Sequence, residues 1–266
     1  MATRMSKYVA ELIGTFTLVF VGTGVATVLG YYASTEGGAR LVPGQVWLAV
    51  ALAFGGTLLV LAYTLGKVSG CHVNPAVTVA AALGKKMDSA DVLPYIVMQF
   101  IGGILASAVV LVMMGGMPDY AVSTHGLAQN VDGIKGMSLT PIIVSEVVLT
   151  MLFLLVILAS TDPRNLPAGF APIPIGGFLF VAHLLGAPLG YSSLNPARSL
   201  GPALLVGGDA LNRLGLMLTA PFVGAILGLI LYMMIWPSDA PPRRAAAPSG
   251  ARSKVVPPPA AVDTEE

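Results

Sequence analysis

Two tripeptides of one composition, Asn74-Pro75-Ala76 and Asn195-Pro196-Ala197, stand far apart in the chain, inside the apolar stretches "SGCHVNPAVTVA" and "SSLNPARSLGPA". Asn is a preferred helix N-cap, and Pro suits the first helical position. As a cap, the Asn side-chain oxygen accepts from the start of its own helix, and its NH2 group points outward as a donor. The helix N-terminus adds partial positive charge beyond that donor. Two such ends brought together make a patch that donates hydrogen bonds and repels cations. A water passing there offers its oxygen to both Asn groups and turns its hydrogens away along the path, so a proton cannot easily hop through. The second box adds a cation of its own. Arg198 sits at the third position of that helix and opposes its dipole, a local cost of about 0.3–1 kcal/mol, whereas Val77 holds the matching place after the first box. A local rule broken in one copy only marks a candidate functional site.

The other chemistry-bearing side chains are few. His183 lies in "FLFVAHLLGAP"; Glu11 and Glu146 lie within apolar runs; Cys71 and His72 precede the first box, and Ser192 and Ser193 the second. Carboxylates at membrane depth need partners. Ser and His together raise the possibility of an intramembrane serine hydrolase, but "GYSSLN" lacks the Gly-x-Ser-x-Gly turn and that reading leaves the first box unexplained. No metal-ligand cluster is evident, so neither an enzyme nor a cofactor is expected. The net charge of +1 gives no case for nucleic-acid binding. A single cysteine allows no internal disulfide. Cys71 stands three residues before Asn74 as Ser192 stands three before Asn195, so a repeat places the two at mirror positions along the path.

The elements that must carry these residues follow from composition. Hydrophobic residues make up 55% of the 266 and charged ones 10%, with a mean hydropathy of +0.82. Soluble domains average about 25% charged residues, so lipid is the expected solvent. Apolar runs of about 20 residues cross a core of about 30 Å as helices. Six are read: Tyr8–Leu29, Gln45–Leu65, Val92–Met114, Pro141–Ala159, Phe170–Ala187 and Leu214–Trp236. The first is too long for a signal-peptide core and contains Glu11. Left over are Asn74–Leu83 and Asn195–Leu205. At a 1.5 Å rise, ten residues make about 15 Å, half a membrane. Two half-spans end to end make one crossing, and such broken backbone is tolerated only inside protein or along a watery cavity.

The chain repeats. "AELIGTF" opens the first span and "SEVVLTM" the fourth, both with Glu-x-x-x-Thr: Glu11 with Thr15, Glu146 with Thr150. Each half then holds three spans with an Asn-Pro-Ala half-helix between its second and third. An odd number of spans per half inverts one half relative to the other, a signature of transporters and channels. With both termini cytoplasmic, the inner segments collect Arg4, Lys7, Lys67, Lys85, Lys86, Arg164, Arg243, Arg244, Arg252 and Lys254, and the outer ones only Arg40, Lys135, Arg198 and Arg213, which fits the positive-inside rule. The expected organisation is one channel domain over residues 1–237, with inverted halves at about 6–115 and 139–236. A disordered cytoplasmic tail over 238–266 is expected from its Pro, Ala and charge content. Gly102, Gly103, Gly224 and Gly228 suit close helix contacts.

Together the two boxes, the Glu-x-x-x-Thr openings, "SGCHVNPAVT" and "LNPARSLGPA" resemble the aquaporin (major intrinsic protein) family, from about Ser6 to Trp236. The resemblance implies an all-α membrane protein of six transmembrane helices plus two re-entrant half-helices in an inverted repeat. It further implies one water pore per protomer, a homotetramer in the plasma or inner membrane, and an outer constriction. That constriction is carried over onto Phe54, His183, Ser192 and Arg198. Phe54 is its apolar wall, Arg198 and His183 its donors, and Ser192 the small position that lets a backbone carbonyl line the path. Glu11 and Glu146 are expected to accept from the backbone leading into each half-helix, and His72 to tie the first loop together. His at this place goes with water-selective members, as do Ser199 and Ala203 after the second box. A glycerol or other small-solute facilitator is the alternative; Met217 and Leu218 stand where water channels usually carry an aromatic pair.

Overall fold

Every long helix of this chain is apolar nearly all round, so apolar stripes cannot orient it; small residues and buried polar groups set the packing instead. The structure, a computed structural model, describes residues 2–34, 42–130, 137–190 and 192–237. Over these it contains α1 (Arg4–Ser34), α2 (Pro43–Ser69), α3 (Pro75–Leu83), α4 (Ser89–Met114), α5 (Val122–His125), α6 (Leu139–Ser160), α7 (Pro172–Gly190), α8 (Pro196–Val206) and α9 (Gly208–Ile235), and no strand among the described residues. Six are long and apolar enough to cross a membrane: α1, α2, α4, α6, α7 and α9. The remaining stretches of interest, α3 and α8, have 9 and 11 residues.

The long helices outrun the expected spans at most ends. Hydropathy marks the hydrocarbon crossing, whereas a helix continues through the headgroup zone where polar residues are welcome. Thus α9 starts at Gly208 rather than Leu214 and carries Asp209 in its first turn, where an acid favours the dipole. The short α5 lies in the connection between α4 and α6, which gave no apolar signal. The expected tail over 238–266 lies outside the described residues, as do Arg40, Lys135, Arg243, Arg244, Arg252 and Lys254.

The repeat is visible in the packing. A Cβ on Gly102 in α4 would run into the backbone of Leu12 and Phe16 and into Thr15; one on Gly224 in α9 would meet Val147, Met151 and Thr150 in the same order. Only glycine allows α1 to lie on α4, and α6 on α9, this closely, and the threonine of each Glu-x-x-x-Thr opening sits at the crossing. Gly103 meets the carbonyl of Ala197 in α8, and Gly228 meets Met151 and Leu154 in α6. Helices α2 and α7 cross at Gly55 and Gly176. On one face, Arg4 pairs with Asp88 at 3.1 Å, Lys86 reaches the Tyr232 hydroxyl, and Arg164 holds the Trp236 and Pro237 carbonyls. Both described ends of the chain therefore share one side.

Candidate functional site

Each half-helix begins where the sequence places it. Asn74 Oδ1 accepts from the Ala76 N–H at 2.9 Å, and Asn195 Oδ1 from Ala197 at 3.0 Å, each with Pro at the first helical position. The NH2 groups depart from the expectation that both donors point into the path. Asn74 Nδ2 donates to the Leu194 carbonyl at 2.7 Å, and Asn195 Nδ2 to the Val73 carbonyl at 2.8 Å. Each amide retains one further N–H for the path. The cause is in the backbone: Val73 and Leu194, one residue before each Asn, have φ of +45° and +54°. That left-handed region costs a residue of this kind on the order of 1–3 kcal/mol. It turns the two carbonyls toward the opposite loop, so each half supplies the acceptor that fixes the other half's Asn.

The glutamates hold these loops from behind. Glu11, fully buried, accepts from Ser69 Oγ at 2.6 Å, from the N–H groups of His72 and Val73 at 3.0 and 2.7 Å, and from Gln99 Nε2 at 2.7 Å. Glu146 accepts from the N–H groups of Ser193 and Leu194. His72 bonds Thr78 Oγ1 through Nδ1 at 3.2 Å and packs edge-on against Tyr95. Both glutamates thus accept from the backbone that leads into a half-helix, and His72 bonds the half-helix that follows its own loop.

A narrow cavity of about 20 Å³ runs past both Asn residues, Phe54, His183 and Arg198, room for about one water. The His183 ring stacks on Phe54 with centroids 4.4 Å apart, and the Arg198 guanidinium carbon lies 5.4 Å from the same ring's centroid. These three come together from α2, α7 and α8, all buried. Their hydrogen-bonding roles differ from expectation in one respect. His183 Nδ1 lies 2.9 Å from the Leu179 carbonyl, which can only accept, so Nδ1 carries the proton. In the neutral ring Nε2 is then an acceptor, and it has no partner among the described residues. Arg198 is the donor here and His183 the acceptor. The Ser192 side chain points away from this cavity and meets α7 at Gly186. Cys71 and His72 border a wider cavity of about 390 Å³ on the Lys86 side.

Sequence reasoning missed three contributors. Gln99 bridges Glu11 and Thr78; a buried amide in a spanning helix was the signal for it. Tyr95 donates to the Ser69 carbonyl at 2.8 Å. Asn130, from the connection between α4 and α6, accepts from Arg198 Nη1 at 3.1 Å and from Ser199 Oγ at 2.9 Å; no repeat or pattern pointed to it. No group of three or more His, Cys, Asp or Glu suited to a metal occurs among the described residues.

Residues 1–232 match the family described as major intrinsic protein. The chain belongs to that family. Its relatives include aquaporin Z of Bradyrhizobium diazoefficiens, 41% identical over 240 residues, covering 89% of this chain and 95% of that protein. Aquaporin Z of Rhodopseudomonas palustris is 41% identical over 87% of this chain and 94% of its own, and that of Photorhabdus laumondii 41% over 87% and 98%. Among solved structures, the aquaglyceroporin of Plasmodium falciparum superimposes with a TM-score of 0.72 over 86% of this chain and 96% of that one, at 23% identity, a likeness of fold. Family membership makes this chain a multi-pass membrane channel and not an enzyme.

Proposed function

We propose that this channel passes water in single file and excludes protons and ions. The observation that carries the reading is the one-water cavity bounded by Arg198, His183 and Phe54 and flanked by the two capped Asn amides. A pore this narrow must strip a water of most neighbours and offer substitutes. A water in the constriction accepts from Arg198 and donates to His183 Nε2, while Phe54 offers nothing and keeps the file single. At the Asn pair the same molecule accepts one N–H from each amide, which points its hydrogens away along the path. The charge of Arg198 and the N-terminal ends of α3 and α8 raise the barrier to cations. The relatives named aquaporin Z support water as the permeant.

In this reading the channel domain spans 1–237 in inverted halves, about 6–115 and 139–236, with the tail outside it. Both termini lie in the cytoplasm, Ser192 completes the constriction through its backbone, and four copies assemble in the plasma or inner membrane.

Stopped-flow measurements on proteoliposomes test the reading. His183→Gly should open the constriction and raise glycerol flux at least severalfold with water flux retained. Arg198→Val should admit protons or cations with a smaller change in size cutoff. A His183→Gly channel no more permeable to glycerol than wild type removes His183 from the constriction.

A further inference from the structure

The filter cation is not held by its own half-helix alone. Asn130, 4% exposed, reaches it from the connection between α4 and α6. Its Oδ1 accepts from Arg198 Nη1 at 3.1 Å and from Ser199 Oγ at 2.9 Å, and its Nδ2 donates to the Gly190 carbonyl at the end of α7 at 3.2 Å. Ser199 Oγ in turn bonds Ser193 Oγ, whose hydroxyl reaches the carbonyl of Asn195. One amide therefore joins that connection, the helix that carries His183, the filter cation and the second box.

We propose that Asn130 is a positioning residue for selectivity: its side-chain oxygen holds the Arg198 guanidinium at the wall of the pore, and its neutrality leaves the charge of Arg198 available to repel cations. This rests on the water-channel reading above. Arg198 is 1% exposed, packs against Phe54 and lines the one-water cavity, so even a small shift of its guanidinium on loss of the Asn130 acceptor reaches the path. A carboxylate in place of the amide keeps the acceptor but pairs with the cation and cancels its field.

Two substitutions separate these roles. Asn130→Ala and Asn130→Asp both lose the donor to Gly190, so any role in anchoring the connection is lost alike. Only Asn130→Asp keeps an acceptor for Arg198 and Ser199. Water and proton flux are measured in one set of proteoliposomes, normalised to channel content, beside wild type and empty vesicles. Asn130→Ala is expected to lower water flux about threefold or more, as the guanidinium obstructs the path, with protons still excluded. Asn130→Asp is expected to keep water flux within about twofold and to raise proton flux about tenfold or more, as the field is cancelled. Variants that behave alike reduce Asn130 to an anchor of the connection and overturn the proposal, as do two variants that match wild type. Wild-type vesicles no faster than empty ones overturn the water-channel reading itself and this inference with it.

Discussion

Among the described residues Glu11 accepts from Ser69, His72, Val73 and Gln99, whereas Glu146 accepts from the N–H groups of Ser193 and Leu194. The openings "AELIGTF" and "SEVVLTM" are alike, yet the loops they support are built differently. The first loop is braced by a carboxylate, a glutamine and the Tyr95 hydroxyl, all from its own half. The second is braced by hydroxyls: Ser193 bonds Ser199, and Ser199 reaches out to Asn130. The difference matters because only the second loop leads into the filter cation. The first loop rests on a frame from its own half, and the second is tied to a segment outside both repeats.

The largest expected effect tests this contrast directly. Glu11→Ala takes the carboxylate from the Ser69, His72, Val73 and Gln99 donors, and Glu146→Ala takes it from the Ser193 and Leu194 N–H groups. At about 1–3 kcal/mol for each unsatisfied buried group, Glu11→Ala should cost at least about 2 kcal/mol more. Unfolding in detergent compares the two; equal losses would mean that the extra donors of the first loop carry no weight.

A smaller effect concerns the inner cavity. Cys71 borders it with 8% of its surface exposed, at the place equivalent to Ser192 in the other half. A mercurial on this thiol should slow water flux, and Cys71→Ser should remove the effect. Inhibition that survives in Cys71→Ser puts the reactive group elsewhere.

The smallest effect lies outside the membrane. After α6, Arg164 donates to both carboxylate oxygens of Asp162, and Tyr232 donates to one of them at 2.7 Å. The Arg164 guanidinium holds this carboxyl well below the usual carboxylate range. A depressed folded-state value gives stability that is present above the ordinary carboxylate pKa of about 3.9 and is lost as pH falls below it. Asp162→Asn should lower stability by about 1–3 kcal/mol at neutral pH without changing the water-to-glycerol ratio. The gap between the two proteins should begin to narrow below about pH 4 and keep narrowing as pH falls further; a gap independent of pH would assign the loss to packing.

Much of this was legible in the residues. The spans and the half-helices follow from hydropathy, capping and repetition, because each is a local pattern or a pattern written twice; the role expected of Glu11 and Glu146 comes only from the family resemblance. What stayed hidden depends on backbone that the residue types disguise. Val73 is a β-branched residue, the kind least expected at positive φ, so nothing announced that its carbonyl would turn toward Asn195. The acceptor role of His183 depends on the Leu179 carbonyl one turn earlier, which any residue would supply. Asn130 has no counterpart in the other half, so repetition could not reveal it.

The crossed amides carry a consequence for how the chain is made. Asn74 finds its acceptor at Leu194, 120 residues later. At about 5–20 residues per second, the ribosome delivers that carbonyl roughly 6–24 s after the first box. Through that interval the nascent first half must hold α3 without its partner, and each donor on Glu11 comes from residue 99 or earlier. The first half emerges with its scaffold complete and its cross-bonds open, and the path closes only when the second box arrives.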